Sequence, residues 1–359
     1  MVCPRCSQKQ EACEPLRGVL EVGIEGKFDK DFDIFDLLPV EREYFPPIPV
    51  GGTPLWAPFN LRKKTGFSNL YIKDDSLNPT GSLKDRASFL VAAFAVREKI
   101  KDVVVASTGN AASSMAGIGA AAGLNIRIFI PAAAPRAKRV QSLQYGAEVV
   151  AVDGNYDRAY DLSMEYTKIH GGLSRNTAYN PLTIEGKKTA ALEIFKQLSG
   201  APDFMFIPTG DGVILGGVYK GFKDLMSAGL INRIPTIYAV QARGSSAISR
   251  ALEEGSFNKS YHSKTVADSI AVDIPRNGYF AIKYIKKYSG RCVEVEDMEI
   301  IRAQKELAST TGLFAEPAAS ASLAGFLKVK DEIPKDSKVV LLVTGSGLKD
   351  IETAIKGVI

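Results

Sequence analysis

The chain has 359 residues, more than one core usually fills, and its 45% hydrophobic and 24% charged content is that of a soluble globular protein rather than a disordered or fibrous one. Its net charge of +5 comes from 45 basic and 40 acidic residues dispersed along the chain, without a basic run interleaved with aromatics, so nucleic acid is not an expected partner. No apolar stretch reaches the length of a membrane span and the start Met1-Val2-Cys3-Pro4-Arg5-Cys6 lacks a signal-peptide core, so no membrane is expected and a cytoplasmic protein is.

Four cysteines, Cys3, Cys6, Cys13 and Cys292, are too few and too uneven for a disulfide scaffold. Cys3 and Cys6 have the spacing of half a zinc ribbon, with Cys13 a conceivable third ligand. No fourth cysteine or histidine follows nearby, so no metal is expected. His170 and His262 are isolated from one another and from the cysteines.

The next feature is Asn78-Pro79-Thr80-Gly81-Ser82-Leu83-Lys84-Asp85-Arg86, a turn leading into a helix from Lys84 to Lys99 with Ser82 as its cap. At the positive end of a helix the charged form of an amine is disfavoured, which keeps Lys84 reactive toward a carbonyl, as a Schiff-base lysine must be. A solvated surface lysine is the alternative, and Lys73, after Leu70-Tyr71-Ile72, is a competing candidate that resembles a strand-end ion pair.

From there helices and strands alternate: strand 103–106, helix 111–122, strand 126–130, helix 137–145, strand 148–152 and helix 156–169. A second series has helix 188–198, strand 204–207, helix 215–227, strand 236–240, helix 246–253, a polar stretch near 258–264, helices 298–310 and 318–329, and strand 339–343. The fold class is therefore α/β, with two doubly wound open-sheet domains and a cleft between them. The expected boundaries are an extension at 1–20, a large domain from 21–83 with 181–359, and a small domain at 84–180.

Ligands of such sheets sit beyond the carboxyl ends of the strands. Ser107-Thr108-Gly109-Asn110 follows one strand and offers hydroxyls, an amide and helix-terminal N–H groups. Pro208-Thr209-Gly210-Asp211-Gly212-Val213-Ile214 follows another, and its glycines let N–H groups converge on a phosphate. The dinucleotide glycine spacing is not met, because Leu215 stands where the third glycine belongs. Thr344, in Thr344-Gly345-Ser346-Gly347, would present a hydroxyl at the same edge. Lysine, amide, phosphate cradle and hydroxyl together describe a site for pyridoxal 5'-phosphate.

At this point the chain resembles the second structural class (fold type II) of pyridoxal-phosphate enzymes and, within it, the threonine synthases. The matching stretches are Gly52-Thr53-Pro54-Leu55, residues 78–86, 107–110, 180–189, Glu316-Pro317-Ala318-Ala319-Ser320-Ala321 and 344–350. The resemblance implies that Lys84 carries the cofactor and acts as the base, Asn110 bonds its ring oxygen, Gly210, Asp211, Gly212, Val213 and Ile214 hold its phosphate, and Thr344 faces its ring nitrogen. Substrate contacts would be Ser82, Ser107, Thr108 and Asn180. The N-terminus resembles a zinc ribbon that has lost a ligand, and a homodimer is implied.

The implied reaction is conversion of O-phosphohomoserine and water to threonine and phosphate. Two positions depart from the family pattern: Thr183 replaces an arginine for the substrate phosphate, and Ser346 replaces a histidine. Lys187 or Lys188 could supply the missing charge, or could lie on a solvated helix face. The rival readings are a threonine or serine dehydratase, a phosphoserine-using cysteate or cysteine synthase-like enzyme, and a non-catalytic pyridoxal-phosphate-binding protein.

Overall fold

Two open sheets organise the chain in the computed structural model, which describes residues 1–26, 28–134, 136–257 and 262–356; residues 258–261 of the expected polar stretch lie outside it. After a short helix α1 (Pro4–Ser7) come strand β1 (Leu55–Trp56), helix α2 (Phe59–Thr65) and strand β2 (Leu70–Asp74). The first alternating series is α3 (Lys84–Arg97), β3 (Asp102–Ala106), α4 (Asn110–Ala121), β4 (Asn125–Pro131), α5 (Arg136–Gln144), β5 (Glu148–Val152), α6 (Tyr156–His170) and β6 (Leu173–Ser174). The second opens with α7 (Leu182–Leu198), β7 (Phe204–Pro208), α8 (Val213–Ser227), β8 (Thr236–Ala242) and α9 (Ala247–Glu254). It closes with α10 (Gly278–Lys287), β9 (Arg291–Val295), α11 (Asp297–Thr311), α12 (Pro317–Val329) and β10 (Val339–Val343).

The smaller sheet has four parallel strands in the order β5-β4-β3-β6, and the larger has six in the order β1-β2-β10-β7-β8-β9. Only the edge strand β1 is antiparallel, so the larger sheet is mixed. Sequence periodicity passes over β1, α2, α10 and β9. It also starts α7 too late: the helix begins at Leu182, because Asn180 Oδ1 accepts the Leu182 N–H at 3.0 Å and fixes the first turn.

Strands of the larger sheet are apolar on both faces because helices cover both. Met205, Ile207, Ile237, Ala239, Val340 and Leu342 pack toward α7, α8 and α10. Their neighbours Phe206, Tyr238, Val240, Leu341 and Val343 pack toward α11 and α12. In the smaller sheet Val103, Val105, Ile126 and Ile128 meet α3 and α4, while Val104 and Phe129 meet α6.

A buried ionic network ties β2, α3 and α7 together. Arg86 Nε donates to Asp75 Oδ2 at 2.6 Å, and its Nη1 donates to Glu193 Oε1 at 2.6 Å. Lys73 Nζ donates to the other Glu193 oxygen at 2.6 Å and to the Thr53 carbonyl at 2.6 Å. Lys73 is therefore a strand-end ion pair, its partner lying far along the chain rather than in the adjacent Asp74 or Asp75.

Burial alone would raise the Glu193 carboxyl, but Arg86 and Lys73 outweigh it and bring the group from 4.5 down to about 2. Because the folded value is depressed, the stability it contributes is present above pH 4.5 and is lost as pH falls through about 2. Glu193→Gln leaves two buried cations undercompensated and is expected to cost about 3–5 kcal/mol at neutral pH. Urea unfolding of both proteins from pH 7 to pH 2 checks this: the gap should narrow as the wild-type carboxyl takes up its proton.

Candidate active site

Lys84 is the first residue of α3, and the turn before it is held from several sides. Asp85 accepts the Thr80 N–H at 2.7 Å, and the Leu83 N–H donates to the Thr344 carbonyl at 2.9 Å, which sets the end of β10 against the start of α3. The helix cap differs from the sequence expectation. Leu83 is the cap residue, with helical backbone angles and no side-chain cap bond, while the Ser82 hydroxyl is buried without a partner. The first N–H groups of the helix go instead to backbone carbonyls, Asp85 to Ser82 at 3.2 Å and Arg86 to Leu83 at 3.1 Å, while the Asp85 carboxylate bonds back to Thr80 and holds the preceding turn.

The Lys84 side chain is enclosed by protein yet keeps part of its surface free in a narrow pocket shared with Pro208, Thr209, Gly210, Asp211, Gly212 and Ile214. Burial pushes its amine below the ordinary lysine value, against the opposing pull of Asp211. Gly210 is required by close approach, since a Cβ there would come within 2.8 Å of Ile270 Cα. Gly212, the cap of α8, has φ +82°, which a side chain would strain. Asp211 Oδ1 accepts the Val213 N–H at 2.9 Å, while the next N–H groups of the first turn of α8 have no intrahelical acceptor.

Asn110, the first residue of α4, donates from Nδ2 to Glu316 Oε2 at 2.9 Å and to Ser269 Oγ at 3.3 Å. Burial raises the Glu316 carboxyl above its ordinary value. These residues line a cavity of about 280 Å³ with Thr108, Ser113 and Lys349. Lys349 Nζ crosses between the sheets, donating to Ser113 Oγ at 2.9 Å, to the Thr80 carbonyl at 3.2 Å and to Gln141 Oε1. A cavity of about 390 Å³ on the far side of Arg86, between Phe35, Phe45, Phe89 and Lys196, touches none of these strand-end loops.

Lys84, the 210–214 loop, Thr344, Asn110 and Thr108 thus gather at the strand ends. Ser107 stands in the same loop, its Oγ accepting the Gly109 N–H at 3.2 Å. Asn180 uses its amide to brace a turn: its Nδ2 donates to the Ser174 carbonyl at 2.8 Å and its Oδ1 accepts from Leu182. Thr183 likewise turns its hydroxyl to the Asn180 carbonyl at 2.8 Å. Lys187 and Lys188 are buried, not on a solvated face; Lys188 pairs with Glu185 at 2.6 Å and Asp224 at 2.9 Å. Glu316 and Lys349 belong to stretches that carry the resemblance, but nothing in their local sequence marks a role for them, and Arg175 has no sequence signal at all.

Among the described residues no three His, Cys, Asp or Glu side chains come together as metal ligands, and no helix is long and apolar enough to cross a membrane. A profile of the family described as pyridoxal-phosphate dependent enzyme matches residues 48–345. The chain belongs to this family. It is 36% identical over 325 residues to a threonine synthase of Mycobacterium tuberculosis, covering 89% of this chain and 88% of that protein. A threonine synthase of Methanocaldococcus jannaschii is 36% identical over 312 residues, covering 85% of this chain and 77% of that one. Among solved structures, a threonine deaminase from Solanum lycopersicum is similar with a TM-score of 0.74 and 25% identity, covering 85% of this chain and 86% of that one.

The cofactor of this pyridoxal-phosphate dependent family fits the residues present. An amine without a carboxylate in contact and a loop in which a Cβ at Gly210 or Gly212 would meet its neighbours share one recess. Lys84→Ala is expected to lose the visible absorbance of bound cofactor, whereas Lys73→Met keeps it while lowering the urea midpoint. Absorbance spectra after incubation with pyridoxal phosphate and gel filtration check both.

Proposed function

We propose that this chain converts O-phosphohomoserine and water to threonine and phosphate. The observation that carries the reading is the buried Lys84 amine sharing one pocket with the Gly210–Gly212 cradle. The choice among the reactions of the family is supported by 34–37% identity to threonine synthases over most of the chain.

Pyridoxal phosphate, when bound, supplies an electron sink that makes the α-proton of an amino acid removable. Lys84 would hold that group through its amine and, when free, would be the base that takes the α-proton at Nζ; burial keeps this amine from holding its own proton too tightly. The loop at 210–214 would hold the cofactor phosphate on backbone N–H groups, and Asn110 and Thr344 would hold its ring. Ser107 and Thr108 orient the substrate carboxylate, with Ser82 at the rim. Asn180 acts on this site only by setting the start of α7.

The same reading includes a cytoplasmic homodimer and a division into an extension at 1–20, a large unit of 21–83 with 181–359, and a small unit at 84–180. The test is incubation of the cofactor-loaded protein with O-phosphohomoserine, threonine and phosphoserine in parallel. Threonine and phosphate in equal amounts from the first are expected. Keto-acid release from threonine with no threonine formation would instead make the chain a dehydratase.

A further inference from the structure

Two basic side chains beside Lys84 have no part in the reading above. Lys187, in α7, is buried and its Nζ has no hydrogen-bond partner. Arg175, just past β6, is fully buried: Nε donates to Ser88 Oγ at 3.3 Å and Nη1 to Thr177 Oγ1 at 3.1 Å, but Nη2 has no partner. The groups that hold the guanidinium are hydroxyls, not carboxylates. Both side chains lie within electrostatic reach of each other and of Asp211, and Lys187 also feels Lys84. Asp211 is the carboxylate all three basic groups share, with Asp85 acting on Arg175 and Glu316 on Lys84, and none of the three has a carboxylate in hydrogen-bond contact.

A buried amine with no partner is among the least favourable groups a fold can contain. Its burial follows from the absence of side chains on α8, since a Cβ at Gly217 would come within 2.7 Å of Lys187 Cβ. Burial, then the charges of Lys84 and Arg175, hold the Lys187 amine well below its ordinary value. An anion seated between Lys187 and Arg175 would satisfy both orphaned N–H groups and supply the missing negative charge.

We propose that Lys187 and Arg175 form a second oxyanion site in the cleft, apart from the glycine cradle of α8, that holds the tetrahedral phosphate of the substrate. This rests on the phosphorylated substrate proposed above. Thr183 and Lys187 are four residues apart on one helix and therefore share a face. Thr183 turns its hydroxyl back to the Asn180 carbonyl at 2.8 Å, and Lys187 presents its amine one turn further along.

The test uses cofactor-loaded wild type, Lys187→Gln and Lys187→Arg, titrated with inorganic phosphate by calorimetry, with cofactor content read from absorbance. Wild type is expected to bind one phosphate per chain; Lys187→Gln weakens this by at least about tenfold at unchanged cofactor content, and Lys187→Arg retains most of it. With the phosphorylated substrate, Lys187→Gln raises KM more than it lowers kcat. Equal phosphate affinity in Lys187→Gln overturns the site. Loss of cofactor from that variant, with phosphate binding intact, overturns it too and assigns the lysine to the cofactor's own phosphate. The titration contains no amino acid, so its outcome stands apart from whether O-phosphohomoserine is the substrate.

Discussion

Arg86 cannot be hydrated where it lies, and the demand that two carboxylates come to it shapes the centre of the molecule. Asp75 arrives from the end of β2 and Glu193 from the middle of α7, and both meet the guanidinium one turn into α3. Replacing water around a buried charge requires geometry this close, because the attraction must offset the loss of hydration. Lys84 stands two residues earlier on the same helix, so its direction follows from where Arg86 is fixed. The chemistry of the site is thus set by an ionic network that takes no part in it.

The buried basic groups fall into two sets that differ in what surrounds them. Lys73, Arg86, Lys188 and Lys220 each have carboxylates in contact and hold helices to one another. Lys84, Lys187 and Arg175 have none in contact and lie within electrostatic reach of one another. Burial weakens a cation's hold on its proton and pairing opposes it: the carboxylates prevail at Arg86 and Lys188, whose values are raised, whereas burial prevails at Lys73 and Lys220, whose values are lowered despite their partners. One solvent-poor interior therefore yields both structural and reactive bases.

Local signals carried much of this. The 78–86 turn, the 107–110 loop and the 208–214 loop could be placed because each joins a buried apolar run to a helix, and those junctions are written in glycine, proline and hydroxyl residues. What lay beyond reach depends on contacts between distant segments. Lys187 and Lys188 read as a polar pair on a helix, and only the approach of α8 through Gly217 and Gly221 turns that face inward. Arg175 sits in a short irregular segment whose neighbours come from α3 and the 210–214 loop. Strands β1 and β9 are edge strands, and β1 is two residues long, too brief for alternation to register.

Strand β10, the last to be made, lies between β2 and β7. The four-stranded sheet is drawn from one continuous stretch, 102–174, and can close while synthesis is still under way. The six-stranded sheet cannot: until residues 339–343 leave the ribosome, β2 lacks the neighbour that joins it to β7. Thr344 follows directly behind, so the bond from the Leu83 N–H to its carbonyl, which sets the start of α3 against β10, forms only after both have been made. The order of synthesis thus leaves the turn before Lys84 without one of its anchors until β10 is in place.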